Sequence, residues 1–267
     1  MLAIALAIFF YWCFGDDWIS IGIFTACIVF PVSILLEGSL TKIERSRIFV
    51  IYIIAFFVIF FWAAYEQAGA SLTLFAAEQT DRFVLGWEVP ASWIQSFNPF
   101  FVVILAAIMP GIWGFLNKRG AEPASPTKQA IGLLLLSLGY LVICFGVKDT
   151  QPGVKVSLIW LTGLYFIHTV GELCLSPIGL SMVNKLTPLR FASLMMGIWY
   201  LSMSTANKFA GTLSGLYPED GKVKTLLGFR IETMFDFFMV FVIMSGVASL
   251  ILFLLSKKLQ KMMHGVE

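Results

Sequence analysis

The sequence predicts an all-α integral membrane protein with about eight transmembrane helices. Three observations predict it. Of the 267 residues, 59% are hydrophobic and only 13% charged, and the mean hydropathy is +0.88. No soluble domain keeps that much apolar surface out of water. The apolar residues fall into stretches of spanning length, and backbone crossing lipid must satisfy its own hydrogen bonds, so each stretch reads as a helix. The basic residues gather in alternate loops, the pattern of a chain that crosses a membrane repeatedly.

The first stretch covers about 1–14 and is short, and the second covers about 18–36. Met1 opens directly into apolar residues, with no basic segment and no cleavage site. It therefore reads as a membrane helix cut short, not a signal peptide. The third stretch, about 46–77, is long enough to cross with tilt and project beyond the bilayer. The others cover about 92–116, 127–147, 155–184, 190–216 and 231–256. Lys42, Arg45 and Arg47, then Lys118, Arg119 and Lys128, then Lys185 and Arg190, then Lys257, Lys258 and Lys261 all belong to one side. That side is expected to be the cytoplasm, with both termini on it. The tail lysines suit anionic lipid headgroups. The opposite loops mix signs, with Asp16 and Asp17, then Glu78, Asp81, Arg82 and Glu88, then Lys148, Asp149 and Lys155, then Glu219, Asp220, Lys222, Lys224 and Arg230.

A net charge of +2 and the absence of a basic surface exclude a nucleic-acid partner. Cys13, Cys27, Cys144 and Cys174 lie in apolar segments without a CxxC pair, so each reads as a small buried hydrophobe. There is no GxSxG, no HExxH and only two histidines, which leaves no enzyme machinery, cofactor or metal centre to argue for.

The third span reads FFWAAYEQAGASLTLF from Phe60 to Phe75. A carboxylate at membrane depth is costly and marks function by default, so Glu66 is the first site candidate. Trp62 lies one turn earlier on the same face. Gly69, Ala70 and Ser71 thin the helix and favour a bend. Glu78 follows about 18 Å further along, at the outer mouth, either as a solvated helix-end charge or as part of a gate ion pair. The sixth span reads HTVGELCLSPIGLSMVNKLTP from His168. His168, Glu172 and Ser176 share one face, and Pro177 and Gly179 are expected to break or bend the helix just beyond. A second deep acid beside a helix defect looks like a substrate site. His168 by itself reads as a packed histidine. Asn98 precedes Pro99 in a helix expected to begin near Ser92. Trp199 lies in the inner half of the seventh span. Gly211 and Gly215 form a GxxxG expected to pack on a neighbouring helix. Lys208 is expected to snorkel, and Asp236 to be solvated or paired locally.

These motifs resemble, in order, helices of the proton-dependent oligopeptide transporters, a branch of the major facilitator superfamily. FFWAAYEQAGASLTLF resembles that family's seventh helix, SFNPFF its eighth, GELCLSPIGLSMVNKLTP its tenth and MGIWYLS its eleventh. The resemblance runs from about Ile48 to the C-terminus. It implies that 41–267 is the C-terminal six-helix bundle and that 1–40 is the helix pair bacterial members insert between their bundles. It also implies a partner N-terminal six-helix bundle, of which nothing matches here, including the first-helix ExxERF-type motif. By resemblance, Glu66 is the proton-linked acid, and Glu172 binds the peptide's amino terminus with help from Asn98. Trp62 and Trp199 line the pocket, and Glu78 joins an outer gate. The implied function is proton-coupled symport of di- and tripeptides by alternating access in the bacterial inner membrane, with protons as coupling ion and no cofactor. This half is expected to be inactive without its partner bundle. The alternatives are a same-fold carrier of nitrate or a glucoside, and a non-transporting interaction subunit.

Overall fold

The computed structural model describes residues 2–15, 17–148, 154–219, 222–226 and 228–266. Asp16, Asp149 and Asp220 of the mixed-sign loops, and Met1, lie outside the described residues.

Every predicted stretch is helical. Helices α1 (Leu2–Phe14) and α2 (Trp18–Leu35) form a hairpin. Helix α3 (Lys42–Tyr65) starts at a capping box, in which Thr41 and Glu44 satisfy each other's backbone N–H. A 3-10 turn (Glu66–Gly69) separates it from α4 (Ser71–Glu78). A short α5 (Ala91–Ile94) precedes α6 (Phe97–Lys118), followed by α7 (Ser125–Val147), α8 (Leu158–Leu186), α9 (Ala192–Ser214) and α10 (Met234–Met262). Among the described residues, six helical stretches are long and apolar enough to cross a membrane. They belong to a multi-pass membrane protein. The other two predicted spans are α1, with 13 residues, and α9, whose apolar run is interrupted by Ser202, Ser204, Thr205, Asn207 and Lys208.

The tightest packing joins α7 to α8 and α10. Lipid tails give apolar helices no reason to associate, so close contact here needs small residues and interhelical hydrogen bonds. Gly132 and Gly171 supply the first. A Cβ on either would lie 2.8–2.9 Å from the other's carbonyl oxygen. Ser137 Oγ donates to Val242 O (2.8 Å) and Ser249 Oγ to Ala130 O (2.7 Å), tying α7 to α10. Tyr140, Phe238 and Phe241 fill the space between, with Tyr140 and Phe241 stacked at 4.8 Å. His168 is buried as a packed histidine. Its ring occupies the gap above Gly139, where a Cβ would come within 2.3 Å, and its Nε2 meets Leu136 O at 3.1 Å.

Several expectations are corrected. Helix α8 is not broken at Pro177; it runs continuously from Leu158 to Leu186. Gly179 serves contact instead, because a Cβ there would lie 2.7 Å from the Trp199 ring. Asn98 stands in the first turn of α6 rather than inside a helix from Ser92, since α5 ends at Ile94. Gly211 and Gly215 are exposed and meet no neighbouring helix among the described residues, because α9 turns Ala206, Ala210 and Leu213 inward instead. Lys208 reaches Asp17, at the capped end of α2, and pairs with it at 2.5 Å. Cys13 is exposed, and Cys27 is half-buried, its Sγ 2.9 Å from Thr205 Oγ1. Asp236 is paired locally, in a capping box with Thr233.

The basic loops converge on one end. Arg47 donates to Met263 O and His264 O, Arg190 bonds Ser39 O and Glu44, and Lys128 pairs with Glu122 nearby. At the other end, strand β1 (Thr80–Asp81) and a later strand (Val156–Ser157) pair in parallel, and Tyr217 donates to Glu78 (3.3 Å).

Candidate functional site

The break after α3 positions the first acid. Ala70 takes a non-helical conformation (φ −128°, ψ −101°), and the groups freed by the break find side-chain partners. Gln67, fully buried, donates to Ala63 O (3.1 Å) and to Ala210 O of α9 (3.0 Å), and accepts from Ser71 Oγ (2.6 Å). Tyr140 Oη donates to Ala64 O (2.6 Å), and Thr73 Oγ1 to Ala68 O (2.7 Å). Glu66, the first residue of the 3-10 turn, is left with its side chain exposed.

Beside it stands a compact polar cluster drawn from three helices. Tyr65 Oη donates to Glu172 Oε2 (2.5 Å). Asn98 Nδ2 donates to the same oxygen (2.9 Å), to Thr169 Oγ1 (3.2 Å) and to Tyr65 Oη. Hydrogen bonds to a carboxylate are among the stronger kinds, so this cluster fixes where α3, α6 and α8 meet. Both bonds to Glu172 fall on Oε2. Oε1 and the Asn98 carbonyl oxygen carry none among the described residues. Tyr65 connects the two acids, preceding Glu66 in the chain and bonded to Glu172, and no cation pairs with either acid among the described residues.

The remaining candidates are distributed unevenly around this cluster. Trp62 packs edge-on against Tyr65 (ring centroids 5.3 Å) and walls the site. Trp199, 4% exposed, lies against Gly179 of α8. Ser176 is half-buried, one turn beyond Glu172. Glu78 is exposed at the far end of α4, bonded by Tyr217. Sequence reasoning gave no role to Tyr65, Thr169 or Gln67. Their signals were available: Tyr65 adjoins one acid, Thr169 lies three residues before the other on the same helical face, and Gln67 is a buried amide in an apolar run.

Residues 16–227 match the family model described as PTR2, POT family. The chain belongs to the POT family. The peptide transporter YePEPT of Yersinia enterocolitica is 37% identical over 185 residues, 68% of this chain and 36% of that protein. The dipeptide and tripeptide permease A of Escherichia coli is 31% identical over 218 residues, 82% of this chain and 43% of that protein. A crystal structure of a peptide transporter POT in complex with alafosfalin superposes with a TM-score of 0.79 at 30% identity, over 98% of this chain and 52% of that one. A POT family transporter in complex with 5-aminolevulinic acid gives 0.77 at 27% identity, over 96% of this chain and 51% of that one. The chain thus spans about half the length of the solved relatives it matches and less of the curated ones. Its fold is that of the family's helical membrane transporters.

Proposed function

We propose that this chain forms the C-terminal half of a proton-coupled di- and tripeptide symporter that works by alternating access. In this reading residues 41–267 form the six-helix bundle, 1–40 the inserted helix pair, and the basic end faces the cytoplasm of a bacterial inner membrane. The observation that carries the proposal is the cluster of Tyr65, Asn98 and Glu172, with Glu66 next to Tyr65 in the chain. A peptide ammonium offers three donors, and Glu172 Oε1 with the Asn98 carbonyl offers two acceptors that carry no other hydrogen bond among the described residues. Two carboxylates close together in a low-dielectric site make the doubly charged state costly. A proton on Glu66 or an ammonium on Glu172 offsets that cost, so the two ligands influence one another through the same pocket. Tyr65, bonded to Glu172 and adjacent in sequence to Glu66, is the physical link. The peptide's carboxylate would be met by cations of the partner N-terminal bundle, and rocking of the two bundles would carry the exchange.

The test is uptake of a labelled dipeptide into liposomes carrying the intact transporter. An inward proton gradient drives uptake, and Glu66→Gln abolishes that drive. Unchanged gradient-driven uptake in the variant removes Glu66 from the mechanism. Inhibition by excess nitrate or glucoside, but not by unlabelled dipeptide, would assign the fold another substrate. This chain reconstituted alone gives no gradient-driven uptake, and adding the N-terminal bundle restores it.

A further inference from the structure

A crevice of about 770 Å3 opens between α6 and α8 at the basic end of the bundle. It lies away from the Tyr65 cluster, and the proposed function makes no use of it. Its walls are apolar: Met109 and Trp113 from α6, Ile178 and Met182 from α8. The outer face of α6 beside it is also apolar and exposed, as at Ile104, Ile108 and Ile112, so the crevice adjoins an apolar surface. Its polar end is built around a lysine that is rarely so enclosed. Lys128, 8% exposed, pairs with Glu122 and places its ammonium 4.7 Å from the Trp113 ring centre. Lys185 lines the same end. A second recess of about 420 Å3 adjoins it, sharing Gln260 and Val266 and adding Lys257 and Lys261. Lys128, Lys185, Lys257 and Lys261 thus border a cavity whose other half is apolar.

A soluble anion has no use for the apolar half, and a neutral lipid has none for the lysines. An amphiphile with an anionic head matches both. We propose that this crevice seats an anionic phospholipid, with its phosphate among Lys185, Lys257 and Lys261 and an acyl chain between α6 and α8. The seat would brace α6, whose main packing partner in the bundle is α8.

The test is native mass spectrometry of the detergent-purified chain equilibrated with equal phosphatidylglycerol and phosphatidylcholine. Phosphatidylglycerol is retained preferentially, and Lys257→Gln with Lys261→Gln lowers its retention by roughly fivefold per lysine removed. Ile178→Trp fills the crevice at constant charge and brings phosphatidylglycerol down to the level of phosphatidylcholine. Met109→Trp does the same from the opposite wall and serves if the first variant misfolds. Lys222→Gln with Lys224→Gln, at the other end of the bundle, leaves retention unchanged. Three results would overturn the seat: retention untouched by both tryptophan variants, equal loss from the remote lysines, or full displacement of the lipid by millimolar inorganic phosphate.

Discussion

The two deep acids sit in helices that handle a weak point in opposite ways. The segment carrying Glu66 gives up its α-helix at the acid, while α8 carries Glu172 and Pro177 without interruption. The residues that look like breakers do not decide between these outcomes. At Glu66 the neighbours offer substitute partners: Gln67, Ser71, Thr73 and Tyr140 take up the backbone groups or each other. In α8 the helix runs through Pro177 without a break. A helix opens where its surroundings can satisfy the opened backbone.

The largest expected effect tests the two glycines beside these sites. Gly179 has no room for a Cβ, with the Trp199 ring at 2.7 Å and Gln129 Nε2 at 2.9 Å, whereas a Cβ on Gly69 would meet nothing within 4 Å. Gly179→Ala should destabilise the bundle by about 1–3 kcal/mol, the usual cost of overpacking. Gly69→Ala should stay within about 0.5 kcal/mol of wild type. Thermal unfolding in detergent reads both. Equal melting temperatures would mean that the Trp199 and Gln129 side chains shift to admit the methyl group at no cost.

A smaller difference separates the two buried glutamines. Gln67 makes three hydrogen bonds across the break, while Gln129 donates one and its Oε1 has no partner. Gln67→Leu leaves Ala63 O, Ala210 O and Ser71 Oγ to find other partners and should cost about 1–3 kcal/mol. Gln129→Leu removes one bond together with an unsatisfied oxygen and should cost under about 1 kcal/mol. Hydrogen exchange at residues 66–71 should quicken in the first variant and not in the second. If Gln129→Leu proves the more damaging, the idea that side-chain partners hold the break in place is wrong.

These contrasts show what the sequence makes legible. Helix number and approximate extent were readable because lipid requires long apolar runs, and so was the collection of basic loops at one end. The acids stood out because charge is rare among such residues. The bend after Glu66 was legible in Gly69, Ala70 and Ser71, but its form was not, because it depends on Ala210 and Tyr140, which are distant in sequence. Pro177 and Gly179 allowed a break that α8 does not make, because one pattern serves both breaking and close packing, and only the position of Trp199 distinguishes them. The Gly211–Gly215 pair was misread because its motif carries no direction, and α9 presents a different face to the bundle. Tyr65 was passed over because an aromatic residue in a membrane helix is ordinary; its hydroxyl matters only once α6 and α8 bring Asn98 and Glu172 to it.

A third acid supplies the control for the other two. Asp17, outside the spans, caps α2 and reaches Lys208 of α9 at 2.5 Å, so it has the cation that Glu66 and Glu172 lack among the described residues. Hydrogen bonds from Lys208 first, then from Ser20, hold its carboxyl down at about 2, against an ordinary 3.8. A carboxyl depressed by folding contributes stability above its unfolded value and loses it as pH falls through its folded value. The tie between the hairpin and α9 should therefore be intact above about pH 4 and lost by about pH 2. Both partners are more than a third exposed, so solvent screens the pair and the effect on melting is small. Lys208→Gln isolates it. The melting difference between wild type and variant should be constant near neutral pH and close between pH 4 and pH 2. A difference that persists below pH 2 would show that Lys208 holds α2 by packing of its aliphatic stem and not by its charge.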